Sequence, residues 1–250
     1  TGSSDKTARV WDAMTAKAVT DSLEHDSEVT AVSFSPDGRR IATVTSKGTA
    51  HVWDVASSTL VAAPMEHGSV AFSVEFDPRG ERIVVACKDG TARVWDVETG
   101  TLRASLQRPQ STWLTFACFS PDGRWIGTAG DGGDAAVWAA DSYKLGVALE
   151  HTSRVWRIQF SPDGQRCVTA SSDSTAKLWE LPSGKELARV DHKSSVLQVR
   201  FSLDGTRFAT ASTDGTATIC DTATGQRLAT LDHQGVFVRR VQFSADGRRL

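Results

Sequence analysis

Short apolar runs alternate with clusters of turn residues along the whole chain, and no apolar face repeats at helical spacing. Five of the runs end in tryptophan: Arg-Val-Trp-Asp at 9–12, His-Val-Trp-Asp at 51–54, Arg-Val-Trp-Asp at 93–96, Ala-Val-Trp-Ala at 136–139 and Lys-Leu-Trp-Glu at 177–180. A sixth, Thr-Ile-Cys-Asp at 218–221, has Cys220 in place of Trp. The steps between these markers are 42, 42, 43, 41 and 41 residues. Phe-Ser-Pro-Asp-Gly recurs with the same period at 34–38, 119–123 and 160–164, with variants at 76–80, 201–205 and 243–247. A third marker, an acidic residue followed by histidine, falls at His25, His67, His151, His192 and His233, and fails where one is due near Pro109.

The turn chemistry divides each period into strands. Asp-Gly between apolar runs is a strong hairpin signal, because glycine adopts positive φ without steric cost. One such turn follows each Phe-Ser run, a second precedes each Trp run, and a third follows the Trp, as in Val97-Glu98-Thr99-Gly100. The prediction is four short strands per period and an all-β fold. One sheet of this size cannot bury its own faces, so neighbouring sheets must stack. Each repeat's Phe and the residue two before it (Val32, Val74, Ala117, Ile158, Val199 and Val241) are apolar throughout and read as core.

The chain starts in what reads as the third strand of a repeat, Thr7 to Asp12. It ends on an inner strand, Val236 to Phe243, and the first residues of the next, Arg248 to Leu250. Five complete repeats lie between these pieces, which together amount to a sixth. The expectation is one repeat domain over residues 1–250, ring-like, and a section of a longer chain.

Composition narrows the function classes. The 250 residues are 40% apolar and 23% charged, as in globular domains, and the net charge is −2. The basic footprint of nucleic acid or anionic membrane binding is missing, and no apolar stretch approaches a membrane span. The cysteines at 87, 118, 167 and 220 form no CxxC pair and fit neither a disulfide scaffold nor a zinc site. They read as buried thiols, and a cytoplasmic setting is the default. No phosphate-binding glycine loop or HExxH motif occurs, so no metal or cofactor is expected.

These three markers in register resemble the WD40 repeat family of β-propellers, over essentially the whole chain. The departures are Glu-His or Asp-His for Gly-His, one repeat without the His and one without the Trp. The resemblance implies a propeller of five complete four-stranded blades plus a sixth assembled from the two chain ends. It also implies a buried hydrogen-bonded chain of His, Ser/Thr, Asp and Trp in each blade. His151, Ser171, Asp173 and Trp179 would make the complete set. Read alone, His151, Ser171 and Asp173 look like a hydrolase triad, but related residues recur from repeat to repeat, as a structural device does and an active site does not. His51, replacing Arg or Lys of sister repeats, reads as a surface residue. The repeat of Trp138 has Gly130 and Gly132 and keeps almost nothing of the chain.

In the family, partner contacts gather at one rim, near the leading ends of the inner strands and just before the turn Asp. Indexing back from each Phe puts Glu28, Phe72, Trp113, Arg154, Trp156, Leu197, Phe237 and Arg239 there, with Lys88 before a turn Asp. Trp, Phe and Arg are residues enriched in binding hot spots. The implied function is a non-catalytic scaffold that binds a protein or peptide. A regulatory or sensor region of a larger bacterial kinase- or NTPase-containing protein is the alternative, and a propeller-based hydrolase is a third.

Overall fold

The computed structural model describes residues 1–108 and 113–250. The place near Pro109 where the repeat's histidine is due falls on residues 109–112, which lie outside the described residues. Among the described residues all regular structure is β, and no helix is long and apolar enough to cross a membrane. Strands β1 (Thr7–Ala8) and β2 (Leu23–Glu24) form a two-stranded sheet, and five four-stranded sheets follow. The first holds β3 (Val29–Phe34), β4 (Arg40–Thr45), β5 (Thr49–Asp54) and β6 (Met65–Glu66). The second holds β7 (Ala71–Phe76), β8 (Arg82–Cys87), β9 (Thr91–Asp96) and β10 (Leu102–Gln107). The third is β11 (Leu114–Phe119), β12 (Trp125–Gly130), β13 (Asp134–Ala139) and β14 (Leu145–Glu150). The fourth is β15 (Val155–Phe160), β16 (Arg166–Ser171), β17 (Thr175–Glu180) and β18 (Glu186–Asp191). The fifth is β19 (Val196–Phe201), β20 (Arg207–Ser212), β21 (Thr216–Asp221) and β22 (Arg227–Asp232). In each, the strands lie side by side in chain order. Two compact units can be distinguished, Thr1–Phe119 and Ser120–Leu250.

The turns explain the strand lengths. In the Phe-Ser-Pro-Asp-Gly turn, Ser35 Oγ donates to Asp37 Oδ1 at 2.6 Å and accepts from the Arg40 backbone at 2.9 Å, while Gly38 takes φ of 70°. The same bonds recur around Ser120, Ser161, Ser202 and Ser244. Asp12, Asp54, Asp96 and Asp221 cap the turns that follow their runs, as when Asp54 Oδ1 accepts from the Ser57 backbone at 2.8 Å. β6 is short because Pro64, with no N–H to donate, precedes Met65 in an outer strand.

Sheets pack face to face. In the first unit, Ala42, Val44, Ala50 and Val52 of one sheet meet Val74, Phe76, Ile83, Val85 and Trp95 of the next. In the second, Val168, Ala170, Ala176 and Leu178 meet Val196, Val199 and Phe201. Polar side chains join successive repeats: Gln159 Oε1 accepts from the Phe201 backbone at 2.8 Å, and Gln198 Oε1 from the Val241 backbone at 2.8 Å.

Two expectations change. Val32 and Phe34 are not core: they are 36% and 51% exposed, whereas Phe76 is 8% and Phe160 3% exposed. Sister positions are covered by the second strand of the preceding sheet, as Ala42 and Val44 cover Val74 and Phe76. Ahead of β3 only Thr1–Ser3 stands in that place, with Gly2 against Val29 and Val32. The end pieces also pair less than expected. Thr7–Ala8 is the only regular strand within 7–12, and 236–250 carries none, although Val238, Val241 and Phe243 are buried beside Ala209, Ala211 and Ala217.

Candidate functional site

The fourth sheet holds the complete hydrogen-bonded chain. The Trp179 indole N–H donates to Thr169 Oγ1 at 2.8 Å, and Thr169 Oγ1 lies 2.7 Å from His151 Nε2. His151 Nδ1 is 2.8 Å from Asp173 Oδ2. With the carboxylate accepting, Nδ1 carries the proton and Nε2 accepts from the threonine, so the imidazole is neutral. Burial lowers the His151 pKa, against the pull of Asp173. Burial works to raise the Asp173 pKa, but bonds from Thr175 and His151 outweigh it and hold the carboxyl at about 2.

The hydroxyl in this chain is therefore Thr169, not Ser171. Both lie on one face of β16, two residues apart. Ser171 ends the strand, where its Oγ donates to the Ser153 carbonyl at 2.9 Å and accepts from the Asp173 backbone at 3.1 Å. His151 and Ser171 thus share no hydrogen bond in the way a base and nucleophile would. Both ring nitrogens are committed elsewhere.

A simple rule unifies the repeats: the linking threonine stands ten residues before the Trp. Trp53 donates to Thr43 at 3.2 Å, Trp138 to Thr128 at 3.0 Å and Trp11 to Thr1 at 3.0 Å. The repeat of Trp138 therefore keeps more of the device than its glycines suggested. In the fifth sheet His192 keeps Thr210 at 2.8 Å and Asp214 at 3.1 Å, but Cys220 supplies no indole. In the second sheet the tenth residue is Val85. His67 is 5% exposed, and both its ring nitrogens and the Trp95 indole nitrogen are buried without a partner. Asp89 pairs instead with Arg93 at 2.7 Å. Burial first, then the nearby Arg93 charge, lower His67 to about 4.

His51 is not a free surface residue. Its ring stacks on Trp53 at 5.8 Å and meets His25 edge-on at 4.8 Å, and its buried Nδ1 has no partner. Burial, then His25, lower it to about 4.

The expected partner-contact residues fall into separate groups. In the first unit, Phe72 on β7 meets Trp113 edge-on, with ring centroids 6.0 Å apart. Glu28 and Lys88 are exposed and form no ion pair among the described residues. In the second unit, the Arg154 guanidinium lies 4.8 Å over the Trp156 ring, whose indole N–H donates to Ser172 Oγ at 2.8 Å. Leu197, at the matching place on β19, is half-buried, while Phe237 and Arg239 are exposed and lie outside any strand. Among the described residues no three His, Cys, Asp or Glu side chains gather as a metal site.

Comparison with known proteins agrees with this architecture. Residues 144–180 and 184–221 match the family model of the WD domain, G-beta repeat. Residues 2–138 match that of the nucleolar protein 10-like N-terminal domain, a β-propeller model. No curated protein sequence matches. The crystal structure of the computationally designed Ika8 protein is similar at 28% identity and a TM-score of 0.88, over 97% of this chain and 74% of that one. Propellers of this kind generally mediate protein–protein interaction and are typically non-catalytic. On the repeat markers, the hydrogen-bonded chains and these matches, the chain belongs to the WD40 repeat family of β-propellers.

Proposed function

We propose that this chain is a non-catalytic module that binds a protein or peptide through aromatic and arginine side chains at the leading ends of its inner strands. Trp156 carries the reading. Its ring is held between the Arg154 guanidinium and the Ser172 hydroxyl, yet it remains only partly buried. An aromatic fixed before binding loses little conformational entropy on association. Phe72 and Leu197 add apolar surface in the same strand register, and Trp113, just ahead of β11, meets Phe72 edge-on. A protein partner suits these side chains and the net charge of −2 better than nucleic acid does. Four cysteines outside any disulfide support a cytoplasmic setting.

The test is capture of partners from a cytosolic extract by the parent chain and by a Trp113→Ala/Trp156→Ala variant of equal melting temperature. The reading expects proteins that the parent retains and the variant loses. An identical capture list would make these aromatics packing residues.

A further inference from the structure

Charge is divided unevenly among the inner stretches of the repeats, the nine residues that end on each Phe. In the first unit these stretches are 26–34, 68–76 and 111–119, and they hold three acids, Asp26, Glu28 and Glu75, and no cation. In the second unit they are 152–160, 193–201 and 235–243. These hold six cations, Arg154, Arg157, Lys193, Arg200, Arg239 and Arg240, and no acid. A chain of net charge −2 thus gathers positive charge on three successive repeats. The three adjoin, since Gln159 accepts from the Phe201 backbone and Gln198 from the Val241 backbone. β15 and β19 are end strands of their sheets, so each keeps one free edge.

Several of these cations have no countercharge. The side chains of Arg200, Arg239 and Arg240 make no ion pair or hydrogen bond among the described residues. Arg239 and Arg240 are exposed, whereas Arg200 is half-buried and its Nε is enclosed without a partner. Arg200 lies between Val199 and Phe201, which pack on the fourth sheet, so its side chain leaves from the opposite face. Gln198 reaches Val241 from that same face. The turn acids of the fourth and fifth sheets are taken. Asp173 accepts from His151 and the Thr152 backbone, and Asp214 from His192 and the Lys193 backbone. A half-buried guanidinium without a countercharge is costly until an anion completes it, and arginine's paired N–H groups match a carboxylate.

We propose that the partner of the surface around Trp156 presents an acidic segment, laid along the inner edge of these three repeats with its carboxylates on Arg200, Arg239 and Arg240. This rests on the reading of Trp156 as a binding residue and adds the chemistry of what it binds. Arg239 stands four residues before its Phe and Arg200 one before, so their levels differ by about 10 Å along the chain direction. An extended acidic segment covers that length, and one small anion does not. The test is fluorescence anisotropy of a labelled peptide of four Glu-Glu-Leu repeats with the full chain. The same peptide with Lys for Glu is the control, and tripolyphosphate is a competitor. The acidic peptide is expected to bind and to weaken as salt rises. Arg200→Gln/Arg240→Gln is expected to weaken it about tenfold or more, and Trp156→Ala to weaken it as well. Arg39→Gln/Arg79→Gln, two exposed arginines of the first unit, is expected to change it less than about twofold. Should the Arg200 variant lower the melting temperature, Arg239→Gln/Arg240→Gln carries the test, because both side chains are exposed and unbonded. Absence of binding at millimolar peptide, equal binding of the Lys peptide, or equal losses from the first-unit pair overturns the proposal. Displacement by tripolyphosphate as readily as by unlabelled peptide also overturns it, in favour of a small-anion site. If the acidic peptide fails while Trp113→Ala/Trp156→Ala still loses proteins captured from extract, the acidic partner is wrong and the aromatic surface stands.

Discussion

The second and fourth sheets share one backbone plan and differ at the residue ten before the Trp, Val85 in one and Thr169 in the other. In the fourth, Thr169 accepts from Trp179 and joins it to His151, which is bound in turn to Asp173. In the second, Val85 occupies the same place, and His67 and Trp95 keep buried polar atoms with no partner. Asp89, released from the histidine, turns to Arg93 instead. Valine and threonine have nearly the same shape, so the apolar packing of Val85 among Ala42, Val44 and Trp95 is unaffected. The comparison separates what holds a sheet together from what fixes its polar interior. Burial and strand pairing suffice for the first, and the hydroxyl is needed for the second.

The most severe way to break the contrast is Thr169→Val, which gives the fourth sheet the second sheet's defect. It strands two buried groups at once and is expected to cost about 4 kcal/mol in urea unfolding. A loss under about 1 kcal/mol would mean the chain contributes little. Acid provides the next test. The His67 pKa falls from 6.5 to about 4 on folding. The unfolded state then binds the proton first, so stability is full above about pH 6.5 and declines as the pH drops toward 4. The linked loss is about 3 kcal/mol. A His67→Phe variant should lose most of this slope between pH 6.5 and 4, measured by denaturant melts across that range.

The reverse substitution sharpens the contrast. Val85→Thr supplies the missing acceptor to Trp95 and the missing donor to His67, and should stabilise by about 1 kcal/mol. Unchanged stability would indicate that the second sheet's geometry has relaxed away from a usable bond. The smallest effect lies outside both networks. Tyr143 has φ of 59° in the turn after the Trp run, where sister turns have Gly100, Gly184 and Gly225. Tyr143→Gly is expected to relieve about 0.5 kcal/mol of strain, visible as a small rise in melting temperature.

Much of the architecture was legible because turns and strand alternation are local. Gly38, Gly80, Gly123 and Gly164 take the positive φ that their Asp-Gly or Arg-Gly turns imply, and the Trp runs are strands in each four-stranded repeat. The hydrogen-bonded chain was legible in outline only. Counting from the histidine picks out Ser171, and counting from the tryptophan picks out Thr169. The two hydroxyls share a face of β16, so spacing alone does not choose between them. His51 misled for a similar reason, since its counterparts in sister repeats, Arg9, Arg93 and Lys177, suggested a solvent-facing position, while the structure sets its ring against both His25 and Trp53.

By itself the sequence determined the repeat length, the four-strand plan of each repeat, the family and the strand register that sets Phe72, Trp156 and Leu197 at matching places. These follow from short-range turn chemistry and period-two burial, which act over a few residues. Tertiary structure alone decided which hydroxyl joins Trp179 to His151, that Val32 and Phe34 lie exposed while their sister residues are covered, and that the Thr218 hydroxyl is buried without a partner. Each of these depends on side chains that meet across strands or sheets, and a residue's partner there is set by packing in space rather than by its neighbours along the chain.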